Sequence, residues 1–125
     1  MVIYMRNFFP LLLILLTSCS KKSDFIYTVY KKGDKEIILQ LPDHKDYLVY
    51  DQSTPVLVQW HNIDRRKSAI MGSGIKLVTS KGETMITTFT PKKDYIKSDS
   101  LLVQFRFEID GIIQNTSIKI PLKDN

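Results

Sequence analysis

Hydrophobic and polar residues alternate along much of the chain after residue 24, most clearly near its end. From Leu101 to Ile109 every second residue is apolar, and a second alternating run ends at Ile120. A period of two is the pattern of a β-strand with one buried face. Between the two runs, Asp110-Gly111 is a strong signal for a two-residue turn. The sequence therefore predicts a β-hairpin at the end of the chain.

The turn and the alternation predict the same register for this hairpin. A one-residue slip would move the returning Ile118 and Ile120 to the solvent side. On the face that carries the apolar residues, the predicted pairs are Ile109 with Ile112, Phe105 with Thr116, Val103 with Ile118 and Leu101 with Ile120. On the other face, the expected pairs are Gln104 with Ser117 and Leu102 with Lys119.

The preceding part of the chain is also rich in β-branched and aromatic residues and has no helical period. Strands are predicted at residues 25–31, 36–41, 56–61, 75–79 and 84–90, with a short edge strand at 47–50. In the strand at 56–61, Val56, Val58 and Trp60 share one face, which predicts that Trp60 is buried. The segment 71–74 predicts a bend or bulge. The expected fold is an all-β, antiparallel β-sandwich of about seven strands over residues 25–125.

The start of the chain has a different pattern, an unbroken apolar run at residues 8–16 that follows Arg6. A basic residue, a short apolar block and small residues are typical of an export signal. The block is shorter than the roughly 20 apolar residues that span a bilayer. Both Met1 and Met5 remain open as the first residue.

The sequence Leu16-Thr17-Ser18-Cys19 resembles the lipobox of bacterial lipoproteins, which has an aliphatic residue, two small residues and cysteine. The resemblance implies a signal peptide at 1–18, lipidation of Cys19, a polar linker at 19–24 and an anchored domain at 25–125. Stable anchoring needs more than one acyl chain, which a multiply acylated cysteine supplies. An ordinary signal peptide with an incidental cysteine is the alternative. In bacterial lipoproteins, Ser20 in place of aspartate favours the outer membrane. Lys21-Lys22, where some lineages have an acidic signal for surface export, favours a domain that faces the periplasm.

The composition restricts how the domain can be stabilised and which partners it can have. After residue 18 the chain keeps 107 residues, one cysteine and a net charge of +4, since the removed segment holds only Arg6. The domain must therefore be stabilised by packing without disulfides. Basic residues cluster at 21–22, 31–32, 65–67 and 92–93, interspersed with acids. Solvated loops are the favoured interpretation, and attraction to anionic lipid or an acidic partner is the alternative. A nucleic-acid partner is disfavoured by the expected location.

Catalytic or metal-binding chemistry has weak support. His44 lies near Asp43 and Asp46 in a polar turn, and His61 precedes Asp64, but no motif supplies a nucleophile. The glycines at 72 and 74 lack the lysine of a phosphate-binding loop. We therefore predict a protein without enzymatic activity, cofactor or metal.

The order of residues 55–62, 72–78 and the final hairpin looks like an Ig-type sandwich with a tryptophan in a middle strand, although the cysteine pair and tyrosine corner are missing. Residues 48–122 are also distantly similar to periplasmic Ig-like domains of gliding and type IX secretion machinery. The leading prediction is a lipid-anchored binding or structural module with an envelope protein as partner. Alternatives are an immunity or inhibitor lipoprotein and a small hydrolase. Exposed strand edges and five tyrosines are the predicted binding surfaces: Tyr27, Tyr30, Tyr47, Tyr50 and Tyr95.

Overall fold

The computed structural model describes residues 23–125, which form two β-sheets packed face to face. A five-stranded sheet has the order β1-β2-β4-β7-β6, and a four-stranded sheet has the order β3-β9-β8-β5. The all-β sandwich predicted from the sequence is confirmed. The strands are β1 (Phe25–Lys32), β2 (Lys35–Leu41), β3 (Leu48–Val49), β4 (Thr54–His61), β5 (Ala69–Met71), β6 (Ile75–Lys81), β7 (Thr84–Phe89), β8 (Ser100–Ile109) and β9 (Ile112–Lys123). Short 3-10 turns lie at Pro42–His44 and Arg65–Lys67.

The final hairpin has the predicted register at every predicted pair, from Ile109 with Ile112 to Leu101 with Ile120. Asp110 and Gly111 both have positive φ, at 52° and 79°, as a tight turn that follows the strand twist requires. The alternation in β8 separates buried from exposed residues from Leu101 to Phe107. The agreement arises because turn geometry and face patterning both require this one register.

The core lies between the sheets and is built from aliphatic and aromatic side chains of both. Trp60 is fully buried, as predicted, and its ring meets Phe105 edge to face at 6.1 Å between centroids. Thr87 is the buried polar residue of this region, and its hydroxyl donates to the carbonyl oxygen of Val56 at 2.9 Å. Such pairing removes most of the cost of burying a hydroxyl group.

The structure differs from the sequence-based prediction in two details of the strands. Residues 23–125 form nine strands rather than about seven, and β5, which the prediction did not include, completes the second sheet. β3, which lies within the short edge strand predicted at 47–50, pairs with β9 in parallel, so the sandwich is not wholly antiparallel. The segment 72–74 is a turn, which confirms the bend predicted before β6, and a bulge lies at Val78, within β6. A strand of three residues, such as β5, is too short to show a periodic pattern.

The two ends of the sandwich differ in the elements that they carry. Phe25, at the start of β1, pairs with Leu41 at the end where the chain enters the first 3-10 turn. Tyr30, further along β1, packs on Phe107 with ring centroids 4.8 Å apart. The hairpin turn lies beyond Phe107 and therefore projects from the end opposite Phe25. Among residues 23–125 no helix has the length and apolar character to cross a membrane.

Candidate functional site

The two histidines lie apart in the fold. His61 is half-buried at the end of β4, and its Nδ1 lies 3.6 Å from a carboxylate oxygen of Glu83. Its neighbour is thus Glu83 rather than Asp64, which the sequence suggested. Asp64 instead accepts a hydrogen bond from the backbone N–H of Arg66, and this bond, with the Arg66 side chain, lowers the pKa of Asp64. The Asp64 side chain therefore caps the start of the second 3-10 turn.

His44 lies at the other end of the sandwich and is exposed, and its ring lies edge to face with the ring of Phe25, with 6.4 Å between the centroids. Asp43 and His44 both have φ of 58°, so this turn is tight and left-handed. Across residues 23–125, no three histidine, cysteine, aspartate or glutamate side chains converge in a way that would hold a metal ion. The possible group of His44, Asp43 and Asp46 therefore has no metal-site geometry.

Four of the five tyrosines that the sequence singled out are half-buried and have contacts within the domain. Tyr27 donates to the carbonyl oxygen of Asp46, and Tyr50 donates to that of Ser98, at 2.6 and 2.8 Å. Tyr30 packs on Phe107, and the ring of Tyr47 lies under the ammonium group of Lys123. Tyr95 differs, because 77% of it is exposed.

Tyr95 belongs to an open groove of about 920 Å³ beside the edge strand β6, which we call the β6 groove. Its walls are residues 74–78, Thr88, Thr90, Ser53, Lys92 and Tyr95. Three smaller grooves of about 290, 200 and 210 Å³ lie elsewhere. None of these four grooves contains His44 or His61. The β6 groove is therefore the best candidate for a binding site in the described residues.

Among the strands of residues 23–125, β6 ends its sheet and pairs with β7 alone. Leu77 lies opposite the buried Thr87 and so belongs to the core-facing side of the sheet, yet 55% of it is exposed. Val78, at the bulge, is 60% exposed. The second sheet does not cover this margin, because its edge strand β5 has only three residues. Two adjacent aliphatic side chains thus stand in solvent beside an open strand edge.

Part of the β6 backbone also points away from the sheet. The N–H of Thr90 donates to the carbonyl oxygen of Gly74 at 2.8 Å, which makes these two residues a hydrogen-bonded pair. Such pairs alternate along an antiparallel ladder, so Lys76 bonds to Thr88, and Leu77 directs its N–H and C=O outward. An outward N–H and C=O on an edge strand can bond to a further strand.

The wall that carries Tyr95 is held in place by the loop between β7 and β8. The N–H groups of Tyr95 and Ile96 both donate to the carbonyl oxygen of Lys92, and Ile96 packs on the core. Asp51 accepts a hydrogen bond from the N–H of Lys93 at 3.2 Å and donates its own N–H to Pro91. Lys93 pairs with Asp124. The exposed ring therefore stands on an ordered support, which lowers the entropic cost of binding.

The groove has a positive rim formed by Lys76 and Lys92. Within residues 23–125, neither lysine forms an ion pair, whereas Lys93, next to Lys92, is paired with Asp124. The sequence of β6 contains Lys76 and Lys81 and no acidic residue. An open strand edge, apolar side chains and unpaired ammonium groups therefore meet at one place.

Sequence reasoning identified Tyr95 but missed Leu77 and Val78. Two adjacent apolar residues interrupt the alternation of Ile75 to Lys81, and this interruption is the signal that would have located the bulge. Cys19, the predicted lipidation site, and the signal peptide at 1–18 lie outside the described residues, as do residues 19–22 of the linker.

The comparisons with known proteins identify no relative of this chain. No protein-family model, no curated protein sequence and no solved structure matches the chain. The function is therefore inferred from the residues and their geometry.

Proposed function

We propose that this protein is a lipid-anchored, non-catalytic binding module of the bacterial cell envelope, which takes a protein partner at the β6 groove. The observation that carries the binding role is the open edge of β6, where Leu77 and Val78 are exposed beside Tyr95. Large exposed aliphatic and aromatic side chains at an unpaired strand edge are typical of surfaces that bind extended protein segments. The anchor is supported by the lipobox at Cys19.

The position of the groove suits a partner at the membrane surface. Phe25 pairs with Leu41, and Ile75 pairs with Phe89, at the same end of the five-stranded sheet. β1 and β6 form its two opposite edges, about 19 Å apart at the usual strand spacing. The chain from Cys19 to Phe25 extends to about 20 Å at most. An anchored domain would thus hold the groove near the lipid surface, at the same end of the sheet as the tether.

The non-catalytic part of the proposal is supported by the surroundings of the histidines. A hydrolase would need a nucleophile beside His61 or His44 in a concave site, and the grooves described above contain neither histidine. The immunity or inhibitor alternative specifies a partner class for a protein-binding surface, and a toxin gene beside this one would favour it.

The anchor is tested by C19A in the full-length protein expressed in a bacterial host. Labelling with a fatty-acid analogue should disappear, and the protein should leave the membrane fraction, because the thioether-forming sulfur is gone. C19S serves as the closest isosteric control and should behave in the same way. Unchanged labelling of either variant would refute the lipoprotein assignment.

The binding role is tested by a photo-crosslinking amino acid at Leu77 in cells. We expect a discrete crosslinked protein from position 77 and none from Ile112, which is exposed on the hairpin tip at the far end of the sandwich. Ile112 is a matched control because it too is a solvent-exposed aliphatic residue of a strand. Crosslinks from position 112 alone would refute the site, and none from either position would refute the binding module.

A further inference from the structure

We infer that the segment bound in the β6 groove is an extended, acidic one that adds to β6 as a sixth strand of the sheet. This inference rests on the proposed function and specifies the chemistry of the partner. It follows from three independent features of β6: its outward backbone groups, its two-sided side-chain pattern and its unpaired positive charge.

The outward backbone groups of β6 determine where the bound segment can pair with this strand. The N–H of Ile75 donates to Gly72 within the turn, but Leu77 directs both its N–H and its C=O away from β7. A segment in β conformation can bond to both groups, as in other complexes formed by strand addition. The bulge at Val78 changes the twist beyond this point, and bulges limit the continuation of a sheet. The pairing should therefore centre on Leu77.

The side-chain pattern of β6 requires a segment with two different faces. Lys76 lies opposite Thr88, whereas Leu77 lies opposite the buried Thr87, so the two neighbours project to opposite faces of the sheet. On an added strand, successive side chains also alternate between these faces. Apolar side chains would cover Leu77 on the core-facing side. Side chains on the other face would lie beside Lys76.

The charge of this region selects acidic side chains for that second face. β6 contributes Lys76 and Lys81, the loop contributes Lys92 to the groove, and the strand has no acid. Carboxylates of a partner would pair with ammonium groups that have no ionic partner among residues 23–125. Opposite charges across an interface also accelerate association and select against wrong partners.

The same lysines argue against a second copy of this chain as the occupant. Pairing of β6 with its symmetry mate would bring Lys76 and Lys81 of both copies into one two-stranded edge with no acid from either strand. Lysines on an edge strand are a common means of preventing such self-association. The β6 edge therefore disfavours pairing with β6 of a second copy and favours pairing with a negatively charged segment.

The experiment measures the binding of a labelled ten-residue peptide of alternating valine and glutamate to the full-length lipidated protein in nanodiscs of zwitterionic lipid. We expect saturable binding that weakens with salt, because the lysines and carboxylates are only partly buried. The same peptide with lysine in place of glutamate should not bind. Fluorescence anisotropy gives both dissociation constants.

Three variants connect the binding to β6. K76E/K92E should weaken binding of the acidic peptide by about tenfold or more and create binding of the basic one. K32E/K119E is the matched control, because it makes the same change in net charge at exposed lysines of β1 and β9, and it should change the dissociation constant by less than about twofold. L77P removes the outward N–H and should abolish binding while circular dichroism shows a folded sandwich.

The outcomes separate this inference from the proposed function. Equal binding of both peptides, or an equal loss in K32E/K119E, would overturn the inference. Failure of the acidic peptide to bind, with a crosslinked protein still recovered from position 77, would overturn the acidic segment and leave the binding module standing. Dimers that disappear in L77P would make a second copy the occupant. Binding of anionic vesicles, but not of the peptide, in a manner that K76E/K92E abolishes would make the ligand a lipid surface.

Discussion

Gly74 offers the sharpest test of the packing that shapes the β6 groove. It has φ of +79°, and a Cβ added there would lie 2.7 Å from the carbonyl carbon of Thr90 and closer still to its oxygen. Both are backbone atoms and cannot rotate away. Gly82 is a matched control, because it has a positive φ of +60° but no atom of residues 23–125 within 4 Å of an added Cβ. The pair G74A and G82A therefore separates steric overlap from backbone conformation.

The expected magnitudes follow from this difference. Alanine in the left-handed region costs about 1 kcal/mol, and this cost is common to both variants. In G74A the start of β6 must also move away from Thr90. That movement breaks the 2.8 Å hydrogen bond from the N–H of Thr90 to the carbonyl of Gly74, worth about 1 kcal/mol. Residual strain adds about 1 kcal/mol more. We therefore expect losses of about 3 kcal/mol for G74A and about 1 kcal/mol for G82A.

The assay is thermal unfolding of the detergent-solubilised protein followed by circular dichroism. For a domain of this size each kcal/mol shifts Tm by about 4–8 °C, so G74A should unfold about 10 °C below G82A. G74A should also weaken binding in the β6 groove, since Gly74 forms part of its wall. Equal Tm values for the two variants would show that Thr90 does not constrain Gly74, and the reasoning would be refuted.

Other predictions test the core and one ionisable group. F105A should cost about 3–5 kcal/mol in urea unfolding, whereas L102A, on the opposite face of β8, should cost under about 1 kcal/mol, and similar losses would contradict the register. T87V should cost about 1–2 kcal/mol by the same measurement, because the carbonyl of Val56 loses a donor; an unchanged midpoint would argue against that bond. Burial, and then the charge of Asp46, raise the pKa of Tyr27, so the folded state holds this proton more tightly than the unfolded chain. The resulting stability should be present below pH of about 10 and lost as the pH rises through the folded-state pKa, and Y27F should flatten that part of the stability curve.

The C-terminal hairpin shows how much local sequence can predict. Its turn residues, its alternation and its register were all evident in residues 101–120, and the structure has each of them. The burial of Trp60 followed equally from the alternation in β4. These features are local, since a strand's own residues decide which face is buried once a core exists.

The candidate site depended on contacts between distant parts of the chain. No local pattern shows that β6 is an edge strand, that β3 pairs in parallel with β9 or that the loop at 90–99 stands beside β6. The neighbour of His61 also could not be predicted from the sequence, because Glu83 approaches it from the turn between β6 and β7. Pairings of this kind depend on the order of strands in the sheet.

The sequence by itself determined the class of fold, the hairpin register and the prediction of an anchor at Cys19, because each depends on a short stretch of neighbouring residues. The tertiary structure decided which strand edge stays open, which tyrosine stays exposed and which lysines share a groove. Exposure is a property of a surface that several strands build together. The adjacent apolar residues Leu77 and Val78 interrupt the strand pattern, but only the tertiary structure shows that the opposite sheet, whose strand β5 has three residues, leaves both in solvent.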